Sequence, residues 1–178
     1  MGSIYEDIAR RTDGCIYIGV VGPVRTGKST FIKRFMETLV IPRIENVYVR
    51  ERARDELPQS GSGRRVMTAE PKFVPEDAVR ISMDDGSEFA VRLIDCVGYM
   101  VDGASGGTED GEERMVTTPW FDHDVTMAEA AETGTRKVIS EHSTIGLVMT
   151  TDGSITEIPR SSYIAAEERV VSELRELG

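Results

Sequence analysis

One stretch limits this chain's fold more than any other. Gly22-Pro23-Val24-Arg25-Thr26-Gly27-Lys28-Ser29 fits the pattern G-x-x-x-x-G-K-[ST]. Its setting supports the match. Before it lies Cys15-Ile16-Tyr17-Ile18-Gly19-Val20-Val21, short, β-branched and nearly all apolar, as in a parallel-sheet strand buried on both faces. After it, Ser29 to Val40 reads as a helix, with Phe31, Phe35 and Leu39 spaced by four and Pro42 as the stop. A strand, a glycine-bearing turn and a helix in that order predict a phosphate-binding loop from Gly22 to Thr30.

The residue types follow from the chemistry. Successive N–H groups of Val24, Arg25, Thr26, Gly27, Lys28, Ser29 and Thr30 must converge on phosphate oxygens. Gly22 and Gly27 permit the dihedrals and the close approach. Lys28 brings a cation to the β- and γ-phosphates, and the Ser29 hydroxyl is the expected Mg²⁺ ligand. The following helix turns its positive end toward the anion. Arg25 has two readings, a contact to the γ-phosphate or a neighbouring subunit, or a solvent-facing loop residue.

Two further positions complete the expected site. Leu93-Ile94-Asp95-Cys96-Val97-Gly98 closes an apolar strand. A carboxylate there, beside a phosphate loop, holds Mg²⁺, and the Gly98 N–H can approach the γ-phosphate. Thr68 is the best-placed hydroxyl to reach both metal and γ-phosphate. Lys28, Thr68 and Asp95 are therefore the candidate catalytic residues, and Ser29, Thr68 and Asp95 the candidate metal ligands. After Asp95 come Gly98 and Tyr99, so no Gln stands where GTPases often position water. Hydrolysis is expected to be slow, or to depend on another subunit or segment.

The rest of the chain reads as one α/β unit. Residues 4–12 form a short helix. Residues 43–78 are a long polar loop with one helix around 47–57, and loops of that length are usually functional. Ala78 to Met83 and Glu88 to Ile94 flank Asp84-Asp85-Gly86-Ser87, an antiparallel hairpin signal. Residues 98–124 are irregular. A helix covers Thr126 to Glu141, a buried strand Thr144 to Thr150, and a last helix Ser161 to Leu177 buries Ile164, Ala165, Val170, Val171 and Leu174. The expected fold is a mostly parallel sheet with one antiparallel edge hairpin. The last helix has no strand after it to complete a right-handed crossover. The reading is thus a partial P-loop NTPase domain over 1–178.

Composition removes some classes. A net charge of −10 repels a phosphate backbone, so no nucleic-acid partner is expected. The local arginine run, Arg43 to Arg65, is interleaved with Glu45, Glu51, Asp55 and Glu56, as in a solvated, charge-laced helix. No apolar run reaches the roughly 18 residues of a membrane span, and the first residues lack a secretory pattern. Cys15 and Cys96 read as buried free thiols, and His123 and His142 as structural residues.

Several stretches together resemble one family. Gly-Pro-Val-Arg-Thr-Gly-Lys-Ser-Thr-Phe-Ile-Lys-Arg-Phe-Met (22–36), Asp-Glu-Leu-Pro-Gln-Ser (55–60) and Thr-Ala-Glu-Pro-Lys-Phe-Val-Pro (68–75) are similar to stage IV sporulation protein A. So are Leu-Ile-Asp-Cys-Val-Gly-Tyr (93–99), residues 134–146 and Thr-Thr-Asp-Gly-Ser-Ile (150–155). These are the spore-coat morphogenetic ATPases of endospore-forming Firmicutes. The resemblance implies a fold related to translation-factor-type GTPases, with ATP and Mg²⁺ as cofactors. It also implies self-assembly into a homopolymer on the outer forespore surface, peripheral to its membrane, in the mother-cell cytoplasm. A small amphipathic membrane-anchoring peptide and other coat morphogenetic proteins are the implied partners.

By the same resemblance, Lys28 is the Walker A lysine, Asp95 the Walker B aspartate and Thr68 the sensor threonine. Family chains can carry a second threonine next, where this chain has Ala69. They are also much longer, with the final strands, the base-contacting segment and the assembly domains beyond these residues. Two other functions compete. A translation-factor-type GTPase needs an Asn-Lys-x-Asp-like segment, which nothing here supplies. The other is a non-catalytic nucleotide-binding scaffold.

Overall fold

The computed structural model describes residues 12–59, 69–84, 86–154 and 157–177. Of the expected helix at 4–12 all but Thr12, which lies in a turn, is outside the described residues, as are Arg64, Arg65 and Thr68.

The centre is β1 (Cys15–Val21), as its unbroken apolar run requires. β3 (Glu88–Asp95) lies parallel on one side, pairing Ile18 with Leu93 and Val20 with Asp95. β8 (Ile145–Val148) lies parallel on the other, pairing Val20 with Leu147 and Val21 with Val148. β2 (Lys72–Ser82) runs antiparallel to β3 at the edge, giving the order β2-β3-β1-β8. The expected mixed sheet with one antiparallel edge is therefore present.

Helices cover both faces. On one, α1 (Lys28–Phe35) continues through a wider π-type turn (Met36–Val40) and a tight turn at Ile41–Arg43. α2 (Val47–Asp55) follows, its first N–H groups satisfied by the Asn46 side chain. Ile32, Met36 and Val40 are buried against Val20, Val74, Val91 and Leu93. On the other face, α3 (Met127–Lys137) also ends in a π-type turn (Val138–His142). α4 (Ile164–Leu177) follows a tight turn at Arg160–Tyr163. Val138, Ile139 and Val170 pack there on Val21, Ile94, Cys96 and Tyr99. Gly19 allows the approach, since a Cβ there would lie 2.8 Å from the Val138 Cγ1.

The structure revises several expectations. β2 begins at Lys72 rather than Ala78, and a register shift between Val74 and Val79 accommodates Pro75. Proline is tolerated there because an edge strand has an unpaired side. The buried stripe of α1 is Ile32, Met36 and Val40, one residue along from the aromatic stripe, and Leu39 is exposed. The stretch read as irregular at 98–124 contains one small antiparallel pair, β4 (Thr108–Glu109) with β5 (Glu112–Glu113), and the strand β6 (Met115–Val116), which pairs with β7 (Val125–Thr126) just beyond it.

β8 is not the fully buried strand expected: it lies at the sheet edge with Ile145 and Gly146 exposed. On α4, Ile164, Ala165 and Val171 are exposed, whereas Val170 and the charged Glu173 are buried. Cys15 is half-buried rather than buried, and both cysteines are free thiols. The arginine run behaves as a solvated helix where described, with Arg54 paired to Glu51 and Arg52 to Glu56 and Asp77.

Candidate functional site

The loop from Gly22 to Gly27 leaves the C-terminal end of β1 and enters α1, the place where open α/β sheets bind ligands. Gly22 has φ 145° and Gly27 φ 87°. A Cβ at Gly22 would lie 2.2 Å from the Met149 carbonyl oxygen, so the chain just after β8 closes on the loop only because this residue is glycine. Arg25 also adopts a left-handed conformation, φ 60°, and is half-buried. The Thr26 hydroxyl donates to the Pro23 carbonyl at 3.0 Å and braces the turn.

Lys28 is 5% exposed. Its ammonium donates to the Pro23 carbonyl at 2.6 Å and the Gly22 carbonyl at 3.4 Å. Burial pushes its pKa below the usual lysine value, opposed by the charges of Cys96 and Asp95. A buried cation whose direct partners are carbonyl dipoles is costly, and a phosphate is the anion that such a cradle fits.

Asp95 ends β3, and the Ser29 hydroxyl bonds its carboxylate. Burial raises the Asp95 pKa, partly offset by that bond and by the charges of Lys28 and Lys72. The strand end, the loop lysine and the first helical hydroxyl therefore meet, as the sequence reading expects. A hydroxyl and a carboxylate side by side suit Mg²⁺, which takes few protein oxygens and keeps its waters.

Gly98, with φ 89°, forms the remaining wall. A Cβ there would lie 2.0 Å from the Gly22 carbonyl oxygen and 2.8 Å from the Lys28 Nζ. The next residue is stitched to the loop, because the Val24 N–H donates to the Tyr99 carbonyl at 2.9 Å and Pro23 bridges Tyr99. Ser29 and Thr30 are exposed at the helix start. Gly22, Val24, Arg25, Thr26, Gly27, Lys28, Ser29, Asp95 and Gly98 thus surround one cradle. Ala69 is buried among Val125, Met127 and Ala130 against α3.

The histidines sit elsewhere: His142 packs edge-on to Phe73, and His123 bonds Asp122 at 2.8 Å. Among the described residues no cluster of three His, Cys, Asp or Glu side chains is placed to hold a metal. Nor, among them, is any helix long and apolar enough to cross a membrane.

Sequence reasoning missed two contributors. The Met149 carbonyl walls the loop, and Tyr99 ties the loop to α4 through Glu173. Both are long-range contacts with no local pattern to announce them.

Residues 1–178 match the family described as "Stage IV sporulation protein A, ATPase domain". Stage IV sporulation protein A of Bacillus anthracis is 63% identical over 98% of this chain and 36% of its own length. Those of Clostridioides difficile (strain 630) and Bacillus subtilis (strain 168) are 60% and 59% identical over the same shares. The chain thus spans about a third of the length of these curated relatives. No solved structure matches it. A cradle of this chemistry and a match along every residue lead to the same place: the chain belongs to the stage IV sporulation protein A ATPase-domain family.

Proposed function

We propose that this chain binds and hydrolyses Mg·ATP, and that turnover drives self-assembly of the basement layer of the spore coat during sporulation. The observation that carries the nucleotide reading is Lys28, buried under the loop next to the bonded pair Ser29 and Asp95. In this reading the loop N–H groups from Arg25 to Thr30 bind phosphate oxygens, whereas the Val24 N–H, expected to join them, is held by the Tyr99 carbonyl. Lys28 neutralises the β- and γ-phosphates. Ser29, Asp95 and Thr68 hold Mg²⁺, which supplies charge neutralisation when bound. The Gly98 N–H takes a γ-phosphate oxygen.

The order β2-β3-β1 with an antiparallel edge supports a relation to translation-factor-type GTPases. The sporulation role, the homopolymer, the membrane-anchoring peptide and the other coat proteins rest on the family likeness. So does a mother-cell cytoplasmic location at the outer forespore surface.

A second reading, nucleotide binding with turnover only in an assembly, has one observation in its favour. The side chain after Gly98 is Tyr99, and its phenol is bonded to Glu173 instead of facing the loop to orient water. The test is γ-phosphate release from ATP and from GTP, with Lys28→Ala as control, followed by sedimentation with and without ATP. ATP-selective, Lys28-dependent release supports the proposal. GTP-selective release overturns it, and nucleotide binding without release leaves the second reading.

A further inference from the structure

The last helix is seated on the nucleotide loop in an unusual way. Its two buried positions are Val170 and Glu173, and Tyr163, fully buried, lies immediately before it. Each packs with the loop or with a residue that adjoins it. Tyr163 shares a cluster with Val24 of the loop. Val170 packs with Val21 and Tyr99. Glu173 accepts the Tyr99 phenol proton.

The carboxylate is costly to bury, and it is compensated locally. Arg169 and Arg136 lie 3.4 and 3.6 Å from Glu173. The Arg169 guanidinium stands 4.9 Å over the Tyr99 ring and also pairs with Glu132 of α3. A charged group in a helix seat is directional in a way that a leucine would not be. It fixes where the phenol must be for the helix to stay satisfied.

Tyr99 is also one peptide from Gly98, and its carbonyl accepts from Val24 in the loop. Lys28 bonds the Gly22 and Pro23 carbonyls, beneath the position a Gly98 Cβ would fill. Lys28 meets the β-phosphate of either nucleotide, but only a γ-phosphate requires the Gly98 peptide to turn its N–H toward it. A diphosphate makes no such demand. We infer that Tyr99 is a positioning residue that couples the γ-phosphate side of the site to α4 through its bond to Glu173. The helix is thereby the element that reports whether a triphosphate or a diphosphate is bound. This rests on the nucleotide-binding reading above.

A ligand shifts such an element only through its differential interaction with the two states. Coupling of this kind is reciprocal and typically amounts to about 5-fold or more. The experiment is hydrogen–deuterium exchange of the chain alone, with Mg·ADP, and with Mg·β,γ-imido-ATP. Protection of residues 22–30 reports binding, and protection of residues 164–177 reports the coupling. The expected result is protection of 164–177 that differs about 5-fold or more between the two nucleotides, and loses that difference in Tyr99→Phe.

A merely structural tyrosine would lower protection equally in all three states. Glu173→Met cuts the same contact from the helix side and must give the same loss. Glu173→Gln, whose amide oxygen can still accept the phenol proton, retains the difference. Equal protection of 164–177 with both nucleotides bound overturns the inference and leaves the nucleotide reading intact. So does an undiminished difference in Tyr99→Phe. No protection of 22–30 by either nucleotide removes the nucleotide reading and this inference together.

Discussion

The position that a Cβ would take at Gly98 lies 2.0 Å from the Gly22 carbonyl oxygen, so the chain just after β3 and the loop from Gly22 to Gly27 meet backbone to backbone. Neither atom is the end of a flexible side chain, so neither can give way. Gly98→Ala combines this overlap with a residue held at φ 89°. The expected cost is about 2–3 kcal/mol of stability, read as a drop in melting temperature. Affinity for a triphosphate analogue falls further than affinity for ADP, measured by titration calorimetry at a temperature where the variant is folded.

Lys28 separates stability from binding. Its charge is buried against carbonyls, so Lys28→Met removes a desolvation cost while filling similar volume. The melting temperature of the nucleotide-free protein is expected to stay level or rise. Mg·ATP affinity falls by roughly 10- to 100-fold, the loss of a charge-assisted bond. A variant that melts much lower without nucleotide counts against this account.

Asp95 has a pH signature with a definite sign. Its pKa is raised in the folded state, chiefly by burial. The folded chain therefore holds its proton more tightly than the unfolded chain does. The contribution to stability is fully present below the ordinary carboxylate pKa and is lost as pH rises through the higher folded value. Asp95→Asn, which stays neutral, is expected to be the more stable form at neutral pH without nucleotide and to lose this part of the pH dependence. Mg²⁺ needs the ionised carboxylate, so metal-dependent nucleotide binding weakens on acidification in the wild type. Removing Mg²⁺ with a chelator lowers affinity more in the wild type than in Asp95→Asn.

Helix α3 offers a test unrelated to nucleotide. The Thr126 hydroxyl accepts from the Glu129 N–H while the Glu129 carboxylate accepts from the Thr126 N–H, a complete capping box. Thr126→Ala is expected to cost about 1 kcal/mol, a fall of roughly 2–4 °C. Nucleotide affinity at 25 °C is unchanged, because the cap lies outside the cradle.

The parts legible from sequence were those whose cause is local. The run Cys15–Val21 has one structural outcome, and the loop after it carries its chemistry in consecutive residues. The place of Asp95 beside Lys28 and Ser29 was legible because a carboxylate at the end of an apolar strand is conspicuous. What escaped depends on distant chain segments. Tyr99 and Glu173 are 74 residues apart, and neither type predicts a buried bond. The face of α1 was misjudged because Phe31 and Phe35 mark the flank of the buried stripe rather than its centre. β2 was begun too late because Pro75 speaks against a strand unless its position at the edge is known.

The position of β8 bears on how this chain behaves in a tube. The strand Ile145-Gly146-Leu147-Val148 forms one border of the sheet with no lysine, proline or acidic residue in it, the devices that usually blunt such borders. Its outer side has no partner strand among the described residues and lies next to exposed Ile145. Of the two sheet borders, the long β2 is guarded by Lys72, Glu76, Asp77 and Arg80. Among the described strands the short β8 is the border without such residues, so a further backbone could pair there without meeting a charge on the strand itself.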